Sequence, residues 1–100
     1  MLRIIALFTI LATPVAAQDA AQDKELLCNT SGEIVGAGVA ERLGGADEET
    51  AIKAVQDWLT EDKAKFKPAV EPLVQWVYTL EADQLTEEAA KSYVLACLTQ

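Results

Sequence analysis

Apolar residues along this chain recur in helical register, in four blocks separated by short polar or glycine-bearing joints. The first block runs from about Asp23 to Leu43. Cys28, Ser31, Gly32, Val35, Val39 and Leu43 share one face at a spacing of about 3.6 residues, with Glu33, Ala37 and Glu41 opposite. Gly44-Gly45 closes it, as glycine just past a helix end does. Its interior glycines, Gly32, Gly36 and Gly38, each cost about 1 kcal/mol relative to alanine, so they call for a packing reason. Gly32 and Gly36 would let a neighbouring helix approach closely.

The second block opens at Asp47, a good N-cap, with Glu48 and Glu49 placed where the helix dipole favours negative charge. Ala51, Ile52, Val55, Trp58 and Leu59 form its stripe, and it ends between Thr60 and Lys65. The third block starts near Lys67-Pro68 and carries Phe66, Val70, Leu73, Val74, Val77 and Leu80 on one face. Pro68 suits a first helical position, whose N–H has no partner in any case. Pro72 either restarts the helix or sits just inside its first turn. The fourth block has Thr86 as N-cap, Glu87 and Glu88 in the first turn, and Leu85 placed to staple onto Ala90. Ala90, Tyr93, Val94 and Cys97 make its inner face. No strand-like alternation competes.

Ahead of these blocks stands a different pattern. Arg3 gives a short basic start, Ile4 to Ala12 is an apolar run, and Thr13-Pro14 breaks it before the small residues Val15-Ala16-Ala17. This reads as a secretory signal peptide over residues 1–17, cleaved after Ala17. A spanning helix needs about 20 apolar residues, roughly twice this run. Residues 18–22 are then a flexible mature N-terminus, and 23–100 a single helical domain in the periplasm or outside the cell.

Export changes the meaning of the cysteines. Cys28 and Cys97 are the only two, and in an oxidising compartment they read as one disulfide, with two buried free thiols as the alternative. The bond would close a loop over residues 28–97 and stabilise the fold by up to about 4 kcal/mol. That matters in a chain this short, which buries only about 60–65% of its unfolded surface. The two cysteines lie near the start of the first helix and the end of the last. They meet only if the number of up-down helices is even. The expected fold is therefore all-α, a small antiparallel four-helix array stapled by one disulfide.

The formal net charge of −8 argues against nucleic acid and anionic membranes as partners, since both repel an acidic chain. No other stretch is long and apolar enough for stable membrane insertion. The carboxylates of Asp47-Glu48-Glu49, Glu61-Asp62 and Glu87-Glu88 fit helix starts better than acid–base or cation sites, and adjacent positions on a helix do not converge. With no histidine and two widely separated cysteines, no metal site and no cofactor is expected. Lys63, Lys65 and Lys67 around Phe66 form the one basic patch, read as a solvated connector with Phe66 folded inward. The run Gly32 to Gly38 lacks the lysine and hydroxyl of a phosphate loop. Asn29-Thr30-Ser31 has the form of a glycosylation sequon, discounted for a bacterial chain. Arg42, beside the inner face of the first helix, either pairs with a carboxylate or extends into solvent.

Trp58, Trp76 and Tyr78 are the candidate interaction surface. Trp76 and Tyr78 flank the apolar stripe of the third helix, and edge aromatics line grooves as well as cap cores.

Several features together resemble a set of small exported two-cysteine helical proteins of proteobacteria with no assigned function. These are Cys28, the segment Ala40-Glu41-Arg42-Leu43-Gly44-Gly45, the segment Phe66-Lys67-Pro68-Ala69-Val70 leading to Val77-Tyr78, and Cys97. The resemblance covers most of residues 24–100 and implies export and a disulfide-bonded helical fold, but no activity. Three functional expectations follow. The first is a non-catalytic protein-interaction or modulator module whose partner is another periplasmic protein. The second is an acid-stress periplasmic holdase chaperone of the HdeA type, by analogy of size and compartment, in which protonation of the 16 carboxylates exposes apolar surface. The third is a carboxylate-dependent enzyme, the one catalytic class left without histidine, free thiol or serine motif.

Overall fold

A computed structural model describes residues 15–100, with side chains from residue 20 onward. The expected signal peptide therefore lies outside the described residues, except that Val15, Ala16 and Ala17 begin the first helix. Among the described residues the chain is all-α, with no strand.

Helix α1 spans Val15–Leu43 and starts well before the predicted Asp23, taking in residues 18–22. The segment from Ala16 to Gln22 is rich in alanine and glutamine, which favour helix, and holds no breaker. Its other end is a Schellman cap: Ala46 N–H donates to Glu41 C=O and Gly45 N–H to Arg42 C=O, each at 3.0 Å. The cap needs a left-handed residue, and Gly45 supplies it at φ +93°.

Helix α2 spans Glu48–Trp58, and the Asp47 carboxylate accepts the Thr50 N–H at 2.8 Å as expected. A 3-10 helix over Glu61–Ala69 follows, entered through Glu61 at φ +56°. Helix α3 is Val70–Val77, shorter at both ends than the predicted Lys67–Leu80. The prolines explain its start. In an α-helix begun at residue 67, Pro68 would fall harmlessly in the first turn, but Pro72 would fall in the second and remove a backbone hydrogen bond. Starting at Val70 puts Pro72 in the first turn, where the missing N–H costs nothing. A short 3-10 turn at Ala82–Gln84 leads to helix α4, Glu87–Leu98, whose Thr86 cap oxygen accepts the Glu88 N–H at 3.2 Å.

α1 packs against each of the other three helices. Side-chain register gives their directions. Ile34 clusters with Val70 and Val74, Gly38 lies against Val74 and Val77, and Arg42 reaches Val77 and Leu80, so α3 runs parallel to α1. Cys28 joins Cys97, Gly32 meets Val94 and Gly36 meets Ala90, so α4 runs antiparallel. The Cys28–Cys97 disulfide, with Cα atoms 5.6 Å apart, pins the start of the buried part of α1 to the end of α4. The Lys24 amine also donates to the Gln100 carbonyl at this end.

Two buried clusters lie along α1. One joins Ile34 to Ala51, Val55, Leu59, Val70 and Val74, with Phe66 folded against it. The other joins Val35 and Val39 to Val77 and Leu85, with Ala89, Ala90 and Tyr93 partly buried around it. Leu85 thus shares a cluster with Ala90, as the expected staple requires. The predicted inner face of α1 is correct at Cys28, Ser31, Gly32, Val35 and Val39 but not at Leu43, which is 63% exposed. Ile34 and Thr30 are buried although they fall off that stripe. The reason is that α1 is covered on two sides, so its buried surface is wider than one helical face. Trp58 leaves the predicted stripe of α2, because the chain turns extended at Leu59 and Leu59 takes the inward place.

Candidate functional site

A surface concavity of about 950 Å³ lies along the seam between α1 and α4. Its origin is the size of the residues there. α1 presents Gly32, Gly36 and Ala40 at helical spacing, and α4 presents Ala90 and Val94. At Gly32 the two helices touch so closely that an added Cβ would lie 2.2 Å from Val94 Cγ2. At Gly36 the same atom would find Ala90 Cβ at an ordinary 3.8 Å. Small residues therefore bring the backbones together but leave the outer seam unfilled.

Two leucines stand on the walls. Leu43 of α1 is 63% exposed and Leu95 of α4 is 65% exposed, while Val39 and Val94 lie deeper. Polar groups are confined to the edges: Asn29 and Glu33 on α1, Thr86, Glu87 and Lys91 on α4. Glu33 is bonded to Lys63 at 2.8 Å, and the pair raises the Lys63 pKa through that hydrogen bond and the carboxylate charge. Lys91 stands 3.9 Å from Glu88, one turn away. Glu87 has no ion pair among the described residues. Both walls are α-helix, so their backbone groups are bonded internally and offer no strand edge.

The aromatics singled out in the sequence do not share a groove. Trp58 is 51% exposed at the end of α2. Trp76 is 39% exposed, packs on Tyr93 with ring centroids 6.1 Å apart, and lines a smaller hollow of about 340 Å³ with Leu80 and Glu88. Tyr78 is half-buried against both core clusters and donates its hydroxyl hydrogen to the Ala46 carbonyl. Burial raises its pKa, and the charges of Asp47 and Glu41 add to that effect. None of the three lines the α1–α4 groove.

Arg42 takes neither role expected of it. Its guanidinium donates to the Val77 and Leu80 carbonyls at 2.8 and 2.6 Å, and lies 5.5 Å from the centre of the Tyr78 ring. It thereby closes the end of α3, where carbonyls lack helical partners. Of the lysine patch, Lys63 is held by Glu33 and Lys65 lies over the ring of Phe66. Asp47 has its pKa lowered by the Thr50 hydrogen bonds it accepts, as a cap does. Among the described residues, no acidic, histidine or cysteine group is placed to hold a metal ion, and no helix is long and apolar enough to cross a membrane.

The groove was missed because its walls carry no chemistry-bearing residue. The signal was present in the spacing of Gly32, Gly36 and Ala40, and in Leu95, an apolar residue off the inner face of α4. No protein-family model, no curated protein and no solved structure matches the chain.

Proposed function

We propose that this chain is an exported, non-catalytic interaction module that binds through the α1–α4 groove. The observation that supports this most directly is the pair of exposed leucines, Leu43 and Leu95, on the walls of an open apolar concavity of about 950 Å³. Hydrating a leucine that could be buried costs about 1.5–3 kcal/mol, and two on one concavity mark a surface that gains by being covered. The lining of the groove is mainly apolar, which suits recognition of an apolar surface.

An uncharged polarity-sensitive dye such as Nile red tests this. The disulfide-bonded protein should bind the dye with a blue-shifted emission, and Leu43→Asp with Leu95→Asp should reduce that binding at least about tenfold, equivalent to roughly 1.4 kcal/mol. Equal dye binding by the wild type and the double variant would place the apolar surface elsewhere. Export is tested separately, by the N-terminal residue of the chain recovered from periplasm, expected to be Gln18.

A further inference from the structure

Resting on that reading, we propose that the α1–α4 groove receives one amphipathic helix from a partner protein, apolar on its buried side and cationic along its flanks.

The backbone argument comes first. Any peptide laid into an apolar groove must satisfy its own N–H and C=O groups. Both walls here are helices with their backbone bonds already made, so an extended strand would find no partners. A helix brings its hydrogen bonds with it, which is the condition for helix-in-groove recognition.

Dimensions agree. The groove follows α1 from Asn29 to Leu43, roughly 21 Å at 1.5 Å per residue, or about four turns of a third helix. Its floor of Gly36, Ala40 and Ala90 has no large side chain to hold an incoming helix away. Val94 and Leu95 on one wall and Leu43 on the other are placed to enclose residues at i, i+3, i+4 and i+7.

Charge selects the partner. The chain has a net charge of −8. At the rim, Glu33 is already bonded to Lys63, and Lys91 has Glu88 within one turn. That leaves Glu87 as the rim charge without an ion pair among the described residues. Cationic flanks would meet a negative field with one uncommitted carboxylate inside it. The same field disfavours the other occupants of an apolar groove. A fatty acid would bring a carboxylate to a lining in which Glu33 and Glu87 outnumber Lys91, and a second copy of the chain would bring another −8.

Three synthetic helices of about 16 residues test the proposal, with one shared apolar face and lysine, glutamine or glutamate flanks. Binding to the disulfide-bonded protein is read by calorimetry and by Nile red displacement at low and high salt. The lysine peptide should bind at least about tenfold tighter than the glutamate peptide at low salt, and the gap should shrink as salt screens the rim. Leu95→Asp should weaken the lysine peptide at least about tenfold. Glu87→Gln should reduce the lysine-over-glutamate preference while leaving the glutamine peptide unchanged. Equal affinity for all three peptides overturns the proposal. So does stronger displacement by decanoate than by the lysine peptide. A concentration-dependent dimer in sedimentation that Leu95→Asp abolishes makes a second copy the occupant and likewise overturns it. If the dye binds the wild-type groove but no peptide does, the partner class is wrong while the groove reading stands. If the dye does not bind, the groove reading itself is lost.

Discussion

The two sides of α1 are built differently. Toward α2 and α3, Ile34, Val55, Leu59, Val70 and Val74 are almost completely buried against one another, and no covalent link is involved. Toward α4, the helix contributes no fully buried residue of its own, and a disulfide ties it down. Branched aliphatic side chains on the first side remove much apolar area from water, at about 25 cal/mol per Å². Glycine and alanine on the second side let backbones approach but remove little. The bond from Cys28 to Cys97 does there what packing does on the other side. The same scarcity of large side chains leaves the groove open, so the weakly packed side is also the side that offers a surface.

The largest test removes the bond. Cys28→Ser with Cys97→Ser should destabilise the chain by up to about 4 kcal/mol for a loop of this size. The loss should be uneven: hydrogen exchange should rise along α4 before it rises in α2 and α3. Simultaneous loss of protection in all helices would show that the two sides form one cooperative unit. Next comes Ile34→Ala, expected to cost about 3 kcal/mol by opening a cavity on the aliphatic side. Chemical denaturation of the disulfide-bonded variant should show the whole chain weakened, since the α2/α3 side has no covalent tie to hold it.

Gly32→Ala probes the close approach directly. Its Cβ would fall 2.2 Å from Val94 Cγ2, so the Val94 side chain or α4 must shift, at a cost of about 1–3 kcal/mol that the better helix propensity of alanine offsets by about 1 kcal/mol. Gly36→Ala meets only ordinary contact and should be neutral or slightly stabilising by thermal melting. Equal destabilisation by both would contradict the distinction between them.

The caps give the most local effects. Thr86→Ala should cost about 1 kcal/mol, seen as fraying of the first turn of α4. Asp47, the equivalent cap on the other side, is ionisable. The Thr50 hydrogen bonds hold its pKa below the ordinary 3.8, so its stabilisation is fully present above that value. It is lost as pH falls through the lower value of the folded state. Exchange at the start of α2 should therefore rise in acid and become independent of that titration in Asp47→Asn, whereas the Thr86 cap carries no charge to lose.

Much of the fold was legible because its signals are local. Asp47 and Thr86 mark helix starts through bonds to residues within three positions, and Gly44-Gly45 marks a stop through its left-handed turn. Cys28 and Cys97 are the only cysteines, so their pairing is legible from composition, and it in turn requires an even number of up-down helices. The start of the third helix was misjudged because Pro68 and Pro72 permit two starts, of which the fold takes Val70. Leu43 and Trp58 were misplaced for a related reason. A periodic stripe says which residues lie together, but it does not say where the neighbouring helix ends.

The sequence by itself determined an all-helical chain, its caps, and the covalent joining of its two ends. These depend on backbone hydrogen bonding and periodicity within a few residues. Only the tertiary structure decided that α1 is covered on two sides, that Arg42 closes α3, and that small residues on α1 and α4 leave a groove between exposed leucines. Those outcomes depend on how side chains of different size meet across helices distant in sequence. No single helix carries that information.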